Sequence, residues 1–509
     1  MNRRNFVQQT GLLIGAHSLI SPLTQGTAYR GNGSLEYATP ESTGVLSEAI
    51  RDYLKAADSS GLEHHGFIMS RHGKVIAEGY WKPFAADYIH TLYSLSKSFT
   101  STAVGMAIQE GYLKLTDKVY SFFPDMLPES MSDNLMKMEI KHVLNMATGH
   151  TKDTMGIMRN ATDVPWSKTF LAQPVEKEPG THFLYNTGAT YILSAIVSKL
   201  VGMTLQDYLK TRLYDPLGIK GTDWEMSPEG YNVAGYGLRV STRDIIRFGN
   251  LYLNNGKLNT KTVISADYVK EATTSHIQSL PAGGDWGEGY GYQFWRCRHN
   301  FYRGDGAHGQ YCIVMPQHGI VIAINSESAS MQKQMDLIWQ YILPGIKERA
   351  LQANKSASSE LKSFSEHLVL NATVGTGTVI PNKKMMLDEN EYGIRSIQIS
   401  PGKMKIQKTG ESIEIPFGLN TWIENKQRIK NPFIKNSTGA VPSKVAATAA
   451  MEENDFKIRI KYIEAIHGDL LRIKSTAENN AEISFLSSLV EKNINNQKES
   501  RKPITGKWI

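Results

Sequence analysis

Two alternating apolar runs meet at His72-Gly73 inside the stretch from Gly66 to Tyr80, a pattern that predicts a β-hairpin. Soon after, Phe99 to Ile108 is apolar or small on every side, with Ala103, Gly105 and Ala107 leaving room for close neighbours. A helix without a polar face is a buried one. Apolar positions at helical spacing then predict helices near residues 141–146, 191–201, 205–213 and 243–253. Strand texture returns at residues 289–295, 311–315 and 319–325. Met331, Met335, Ile338 and Ile342 mark one face of a closing helix that stops at Pro344-Gly345. Strands at both ends with helices between them predict one α+β domain whose sheet joins the early and late parts of the chain.

Beyond this the texture changes. Residues 353–366 are polar and read as a linker. Ser396-Ile-Gln-Ile-Ser, Met404-Lys-Ile-Gln, Ser412-Ile-Glu-Ile, Phe456-Lys-Ile-Arg-Ile-Lys-Tyr462 and Leu470-Leu-Arg-Ile alternate with period two. That predicts a separate antiparallel β domain over residues 367–509, with one face solvated. It shows no nucleophile–base pair of its own, which points to a structural, lid or binding role.

Composition adds less than the N-terminus does. With 41% hydrophobic and 21% charged residues, the 509-residue chain is ordinary globular material. Its net charge of +7 is spread along the chain. No basic stripe with interleaved aromatics occurs, so nucleic acid is not an expected partner. Arg3-Arg4-Asn5-Phe6 precedes the apolar run from Gly11 to Ile20, and Gly26-Thr27-Ala28 offers a cleavage site. This predicts a twin-arginine-like signal peptide over residues 1–28 and a mature domain over 29–352. The expectation is export to the periplasm or beyond, without stable membrane insertion. Cys297 and Cys312 are expected as buried free thiols. His64-His65 lacks a ligand set, and no zinc-like spacing occurs, so neither metal nor cofactor is expected.

Candidate chemistry enters at Ser94-Leu95-Ser96-Lys97. Three residues apart on a helix is the same face, so Lys97 can reach the Ser94 hydroxyl. Burial disfavours an ammonium, and a neutral amine beside a serine makes an activated nucleophile. The spacing recurs at Ser330/Lys333, Ser359/Lys362 and Ser400/Lys403. Those copies fall at an amphipathic helix start, in the polar linker and in a Pro-Gly turn; Ser94/Lys97 alone leads into a buried helix. A second proton carrier is offered by Tyr185, in His182-Phe-Leu-Tyr-Asn-Thr-Gly188, its phenolate favoured by a neighbouring cation. The glycine-rich Gly304-Asp-Gly-Ala-His-Gly-Gln310 permits close approach of a substrate.

Tyr93-Ser-Leu-Ser-Lys-Ser-Phe-Thr100, Ile140-Lys-His-Val-Leu-Asn-Met-Ala-Thr-Gly149, Asp215-Pro-Leu-Gly218 and Gly237-Leu-Arg-Val-Ser-Thr-Arg-Asp244 carry a resemblance. Together they are similar to the serine β-lactamase and penicillin-binding-protein-like superfamily, on its branch of class C-like esterases and 6-aminohexanoate-dimer hydrolases. The resemblance covers roughly residues 40–345 and implies a β-lactamase/transpeptidase-like fold. It implies Ser94 as nucleophile, with Lys97 and Tyr185 as its acid–base pair. It also implies Ala307-His308-Gly309 as the third motif and the backbone N–H groups of Ser94 and Gln310 as the oxyanion hole. Thr187 takes the place of the usual asparagine in the second motif. The third motif has no lysine or threonine, which argues against a carboxylate-bearing lactam. The expectation is an exported serine hydrolase acting on a small ester or amide through an acyl-enzyme. A β-lactamase or D-alanyl peptidase is the alternative, and an acylated but non-turning-over penicillin-binding sensor is the non-enzymatic one.

Lys408-Thr-Gly410, Ser132-Asp-Asn134 and Tyr252-Leu-Asn254 spell related motifs literally. Their settings predict a hairpin turn, a loop entering a helix and a helix end.

Overall fold

The structure, a computed structural model, describes residues 34–434, 441–453, 455–476 and 479–509. The expected signal segment at residues 1–28 lies outside the described residues.

The sheet of the first domain runs in the order Glu36–Tyr37, Lys74–Tyr80, Glu63–Arg71, Ile320–Glu327, Gln310–Met315, Phe301–Gly306 and Trp295–Cys297. Glu63–Arg71 pairs antiparallel with Ile320–Glu327, so the early hairpin and the late strands share one sheet. Successive side chains face opposite ways along a strand. Phe67, Met69, Ile320, Ile322 and Ile324 accordingly pack on one side with the helix Ser47–Ser59. Ile68, Val321 and Ala323 pack on the other, with the helices Ser96–Gln109 and Thr242–Leu253. Both faces are covered, which explains strands that are apolar throughout.

The helix Ser96–Gln109 has a small or apolar residue at most positions and is buried from Ser96 to Ala107. Phe99 stacks on Phe248 at 4.0 Å. The helix Thr187–Val201 is buried from Gly188 to Ser198 and packs against it. Cys297 and Cys312 are buried free thiols.

Two expectations change, and one strand is added. The polar segment at 353–366 holds a helix, Lys355–Glu366, capped by the Asn354 side chain, which accepts from Ala357 N at 3.1 Å. Ala357 and Leu361 are buried and Phe364 partly so; that one-turn spacing makes a stripe which docks on Ser47–Ser59. Gly304 to Gly306, to which the sequence assigned no element, ends the strand Phe301–Gly306. The strand expected at 289–295 is confined to Trp295–Cys297.

The C-terminal region is one long sheet. Its strands include Ile394–Ser400, Lys403–Lys408, Val445–Glu452, Asp455–Tyr462, Gly468–Ser475 and Asn480–Ser487. Alternate side chains such as Ile397, Ile406, Ile458, Leu471 and Ile483 build its own core. Val445–Glu452 is buried from Val445 to Ala450 because it lies between the two domains; Ala446 packs into the first domain's core while Ala447 and Ala449 pack into the second. Its alanines fit a strand squeezed from both sides. Among the described residues, no single helix is long and apolar enough to cross a membrane.

Candidate active site

Ser94 sits in a tight turn, Tyr93–Leu95, that runs directly into the buried helix Ser96–Gln109. Tyr93 is left-handed, with φ 47°. The strand end Gly304–Gly306 lies against this turn so closely that no side chain fits. A Cβ on Gly306 would fall 2.0 Å from Leu92 O, and one on Gly304 would fall 2.5 Å from Leu95 Cδ1. Those glycines exist for this approach.

Lys97 is 1% exposed. Its Nζ donates to Ser94 Oγ at 3.0 Å and to Gly235 O at 2.7 Å. Burial pushes the ammonium down to about 7, against the pull of the Asp153 and Asp305 carboxylates. Near neutral pH a large share of Lys97 is therefore a free amine, 3.0 Å from the serine hydroxyl.

Tyr185 lies on the other side of the lysine, its ring centre 4.8 Å from Lys97 Nζ. The phenol is pushed up by burial and by Asp305, while a hydrogen bond with Ser94 pulls it down. Burial and the Asp305 and Asp153 carboxylates outweigh that bond and favour the protonated phenol over the expected phenolate. The Tyr185 ring stacks on Trp295 at 5.4 Å and meets Tyr290 edge-on at 6.2 Å. Behind this wall Arg303 packs over Trp286 at 4.3 Å and pairs with Asp305 at 2.9 Å. Trp295, Tyr290 and Trp286 are thus the support of the site.

The second motif divides its roles. Asn186 is fully buried and turned inward, its Oδ1 accepting from Ala189 N and from Thr154 N and Oγ1. It caps the Thr187 helix and leaves Lys97 to Gly235. Thr187 borders the site; its N–H donates to Asp153 Oδ1 at 3.0 Å, and its methyl lies across Gly235 from Lys97.

The third segment departs from expectation. His308 (φ 67°) and Gly309 (φ 90°) form the turn of the hairpin between Phe301–Gly306 and Gln310–Met315. The His308 ring meets Tyr93 edge-on at 5.2 Å, and burial lowers its imidazole to about 4. A Cβ on Gly309 would strike Gln334 Oε1 and Ser326 Oγ, away from Ser94. Gln310 pairs with Gly306 in the ladder and is wholly buried, its amide bonded to Ala307 O and Ser326 O. The backbone that abuts the Ser94 turn is Gly304–Gly306, next to exposed Ala307, whereas Gln310 lies on the neighbouring strand.

The other copies of the spacing do different work. Ser330 caps the helix Met331–Leu337, and Lys362 is exposed on Lys355–Glu366. Ser400 and Lys403 are strand partners across a turn, and Lys408-Thr-Gly410 is a hairpin turn. Ser132 caps Asp133–Lys137, while Tyr252 donates or accepts with Thr102 Oγ1 at 2.7 Å.

Sequence reasoning missed the Gly235 carbonyl, Asp153, Asp305 and Tyr93. It also missed His467, which the C-terminal domain brings to Tyr93. A cavity of about 520 Å³ opens beside them, lined by Tyr93, Trp224 and Tyr236 from one domain and Tyr462 and His467 from the other.

The Beta-lactamase family model matches residues 47–344, more than half of the 509-residue chain. The 6-aminohexanoate-dimer hydrolase of Paenarthrobacter ureafaciens is 27% identical over 283 residues, covering 50% of this chain and 70% of that protein. A Salmonella agona protein with the provisional name D-alanyl-D-alanine carboxypeptidase is 26% identical over 182 residues, 32% of this chain and 42% of its own length. The octameric penicillin-binding protein homologue of Pyrococcus abyssi has a TM-score of 0.47 at 16% identity, covering 90% of this chain and 99% of that one. The chain belongs to the Beta-lactamase family of serine hydrolases.

Proposed function

We propose that the protein is an exported hydrolase that cleaves a small ester or amide through an acyl-enzyme on Ser94. One observation carries this reading: a buried lysine amine held 3.0 Å from a serine hydroxyl at the head of a buried helix. Ser94 Oγ attacks the substrate carbonyl while its proton passes to Lys97 Nζ. Backbone N–H groups at Ser94 and in the Gly306–Ala307 segment take the oxyanion. As the tetrahedral intermediate collapses, the Tyr185 phenol gives its proton to the leaving oxygen or nitrogen and is recharged from Lys97. Water then attacks the acyl carbonyl by the reverse route and frees Ser94 and the acid. Export rests on the Arg3-Arg4 leader and its apolar run.

A D-alanyl peptidase is the second reading, favoured by the Salmonella relative. Against it stands the third motif, Ala307-His308-Gly309, which lacks the lysine and threonine that a carboxylate-reading site would use.

The test is labelling by a fluorophosphonate and turnover of a short-chain chromogenic ester by the mature protein, beside Ser94→Ala, Lys97→Ala and Tyr185→Phe. The reading expects Ser94→Ala to lose both signals. Full labelling of Ser94→Ala overturns it, and protection of Ser94 by penicillin at low concentration favours the peptidase.

A further inference from the structure

Five side chains outside the Ser94 site converge on a pair of carboxylates. Glu327 ends the strand Ile320–Glu327 and is fully buried. Its Oε2 accepts from Lys461 Nζ at 2.6 Å and Lys492 Nζ at 2.9 Å, and its Oε1 from Ser488 Oγ at 2.5 Å and His467 Nδ1 at 2.7 Å. Glu63 shares both lysines, at 2.5 and 3.0 Å, and holds His65 at 2.9 Å. The donor atoms of Glu63, His65 and Glu327 lie within 4.8 Å of one another, a spacing suited to a cation, and the Lys461 ammonium fills that place. Four of the five groups on this pair of carboxylates come from the C-terminal domain. Two carboxylates against two ammoniums leave the cluster balanced.

From this anchor a chain of bonds leads to the nucleophile. Because the Glu327 carboxylate accepts from His467 Nδ1, a neutral imidazole presents bare Nε2 outward. The Tyr93 hydroxyl donates to that atom at 2.6 Å. His467 sits on the tip between Asp455–Tyr462 and Gly468–Ser475, where Ile466 is left-handed at φ 63°. A β-branched residue there is strained, and so is Tyr93 across from it. The same tip is fixed to the first domain by Thr91 N–H donating to Glu464 O at 3.1 Å. His308 closes the arrangement, edge-on to both Tyr93 and His467 at 5.2 and 5.1 Å.

We propose that the C-terminal domain supplies a positioning residue to the active site: His467, held by Glu327, anchors the Tyr93 hydroxyl and so fixes the left-handed turn that presents Ser94. His467 touches neither Ser94 nor Lys97 and acts through Tyr93. The inference rests on Ser94 as nucleophile. Small displacements of a reacting group are costly, about 100-fold for roughly 1 Å.

The experiment compares Tyr93→Phe, His467→Leu, His467→Gln and the Tyr93→Phe/His467→Leu double variant in the full mature chain. The readouts are kcat and KM on a short-chain ester and the rate of fluorophosphonate labelling, with Ser94→Ala as control. Each single loss is expected to lower kcat and the labelling rate by about 10- to 100-fold with KM within about twofold. The double variant is expected to be no slower than the worse single, and His467→Gln to recover part of the rate. Tyr93→Phe keeps the ring and removes only the hydroxyl, so it reads the bond even where His467→Leu does not fold. Rates within about twofold of the parent in Tyr93→Phe, or losses that multiply in the double variant, overturn the proposal while Ser94→Ala still loses labelling. Labelling that survives in Ser94→Ala overturns the nucleophile and this inference with it.

Discussion

Lys97 and Lys461 are equally buried, each 1% exposed, yet the protein treats them oppositely. Lys97 meets a hydroxyl and a carbonyl, and desolvation brings its ammonium down to about 7. Lys461 meets the carboxylates of Glu327 and Glu63; burial alone would lower it, but the two anions raise it above its ordinary value. The difference is made by direct partners and not by depth. A buried lysine becomes a base where its contacts are neutral, and a permanent cation where they are ionised. One is suited to moving a proton, the other to holding two domains together.

The comparison can be broken most severely at the base. Lys97→Ala is expected to lower kcat/KM by more than about 10³-fold with folding retained, measured by ester turnover beside thermal unfolding. Lys461→Met is expected to do the reverse. It leaves two buried carboxylates short of a cation and costs about 3–5 kcal/mol of stability in urea unfolding. A Lys461→Met protein of parental stability contradicts the anchoring role.

The pH profile sharpens the same contrast. Because the shift of Lys97 is downward, the neutral and active form grows as pH rises through about 7. Below that midpoint kcat/KM is expected to fall about tenfold per pH unit. A flat profile from pH 5 to 9, roughly the range in which such a base titrates, contradicts it. The smallest effect belongs to the matching spacing on the surface. Lys362, 78% exposed, pairs with Glu366 at 3.9 Å, and Lys362→Ala is expected to change stability by less than about 0.5 kcal/mol and turnover not at all.

Much of the candidate site's arrangement was legible because its signals are local. Ser94 and Lys97 are one turn apart ahead of a run with no polar face, and burial follows from that run alone. The first domain's sheet was legible in the strand texture around Phe67 and Ile322, which alternates between two cores. Gly304 and Gly306 gave no strand signal because two glycines erase the alternation that marks a strand, yet their lack of side chains is what lets that strand touch Leu92 and Leu95. The helix at Lys355–Glu366 was hidden by a narrow stripe of Ala357, Leu361 and Phe364 in a polar segment. The Glu327 anchor could not be read at all. Glu63, Glu327, Lys461 and Lys492 each look like solvated charges in the sequence, and only the pairing of distant segments buries them together.

The central claim is that burial without an ionised partner makes Lys97 a base, and its titration tests that most directly. The mature protein labelled with ¹⁵Nζ-lysine, with Lys97→Arg to assign the signal, should show one amine titrating near 7. A Lys97 signal that titrates near the ordinary value of 10.5 would contradict the account.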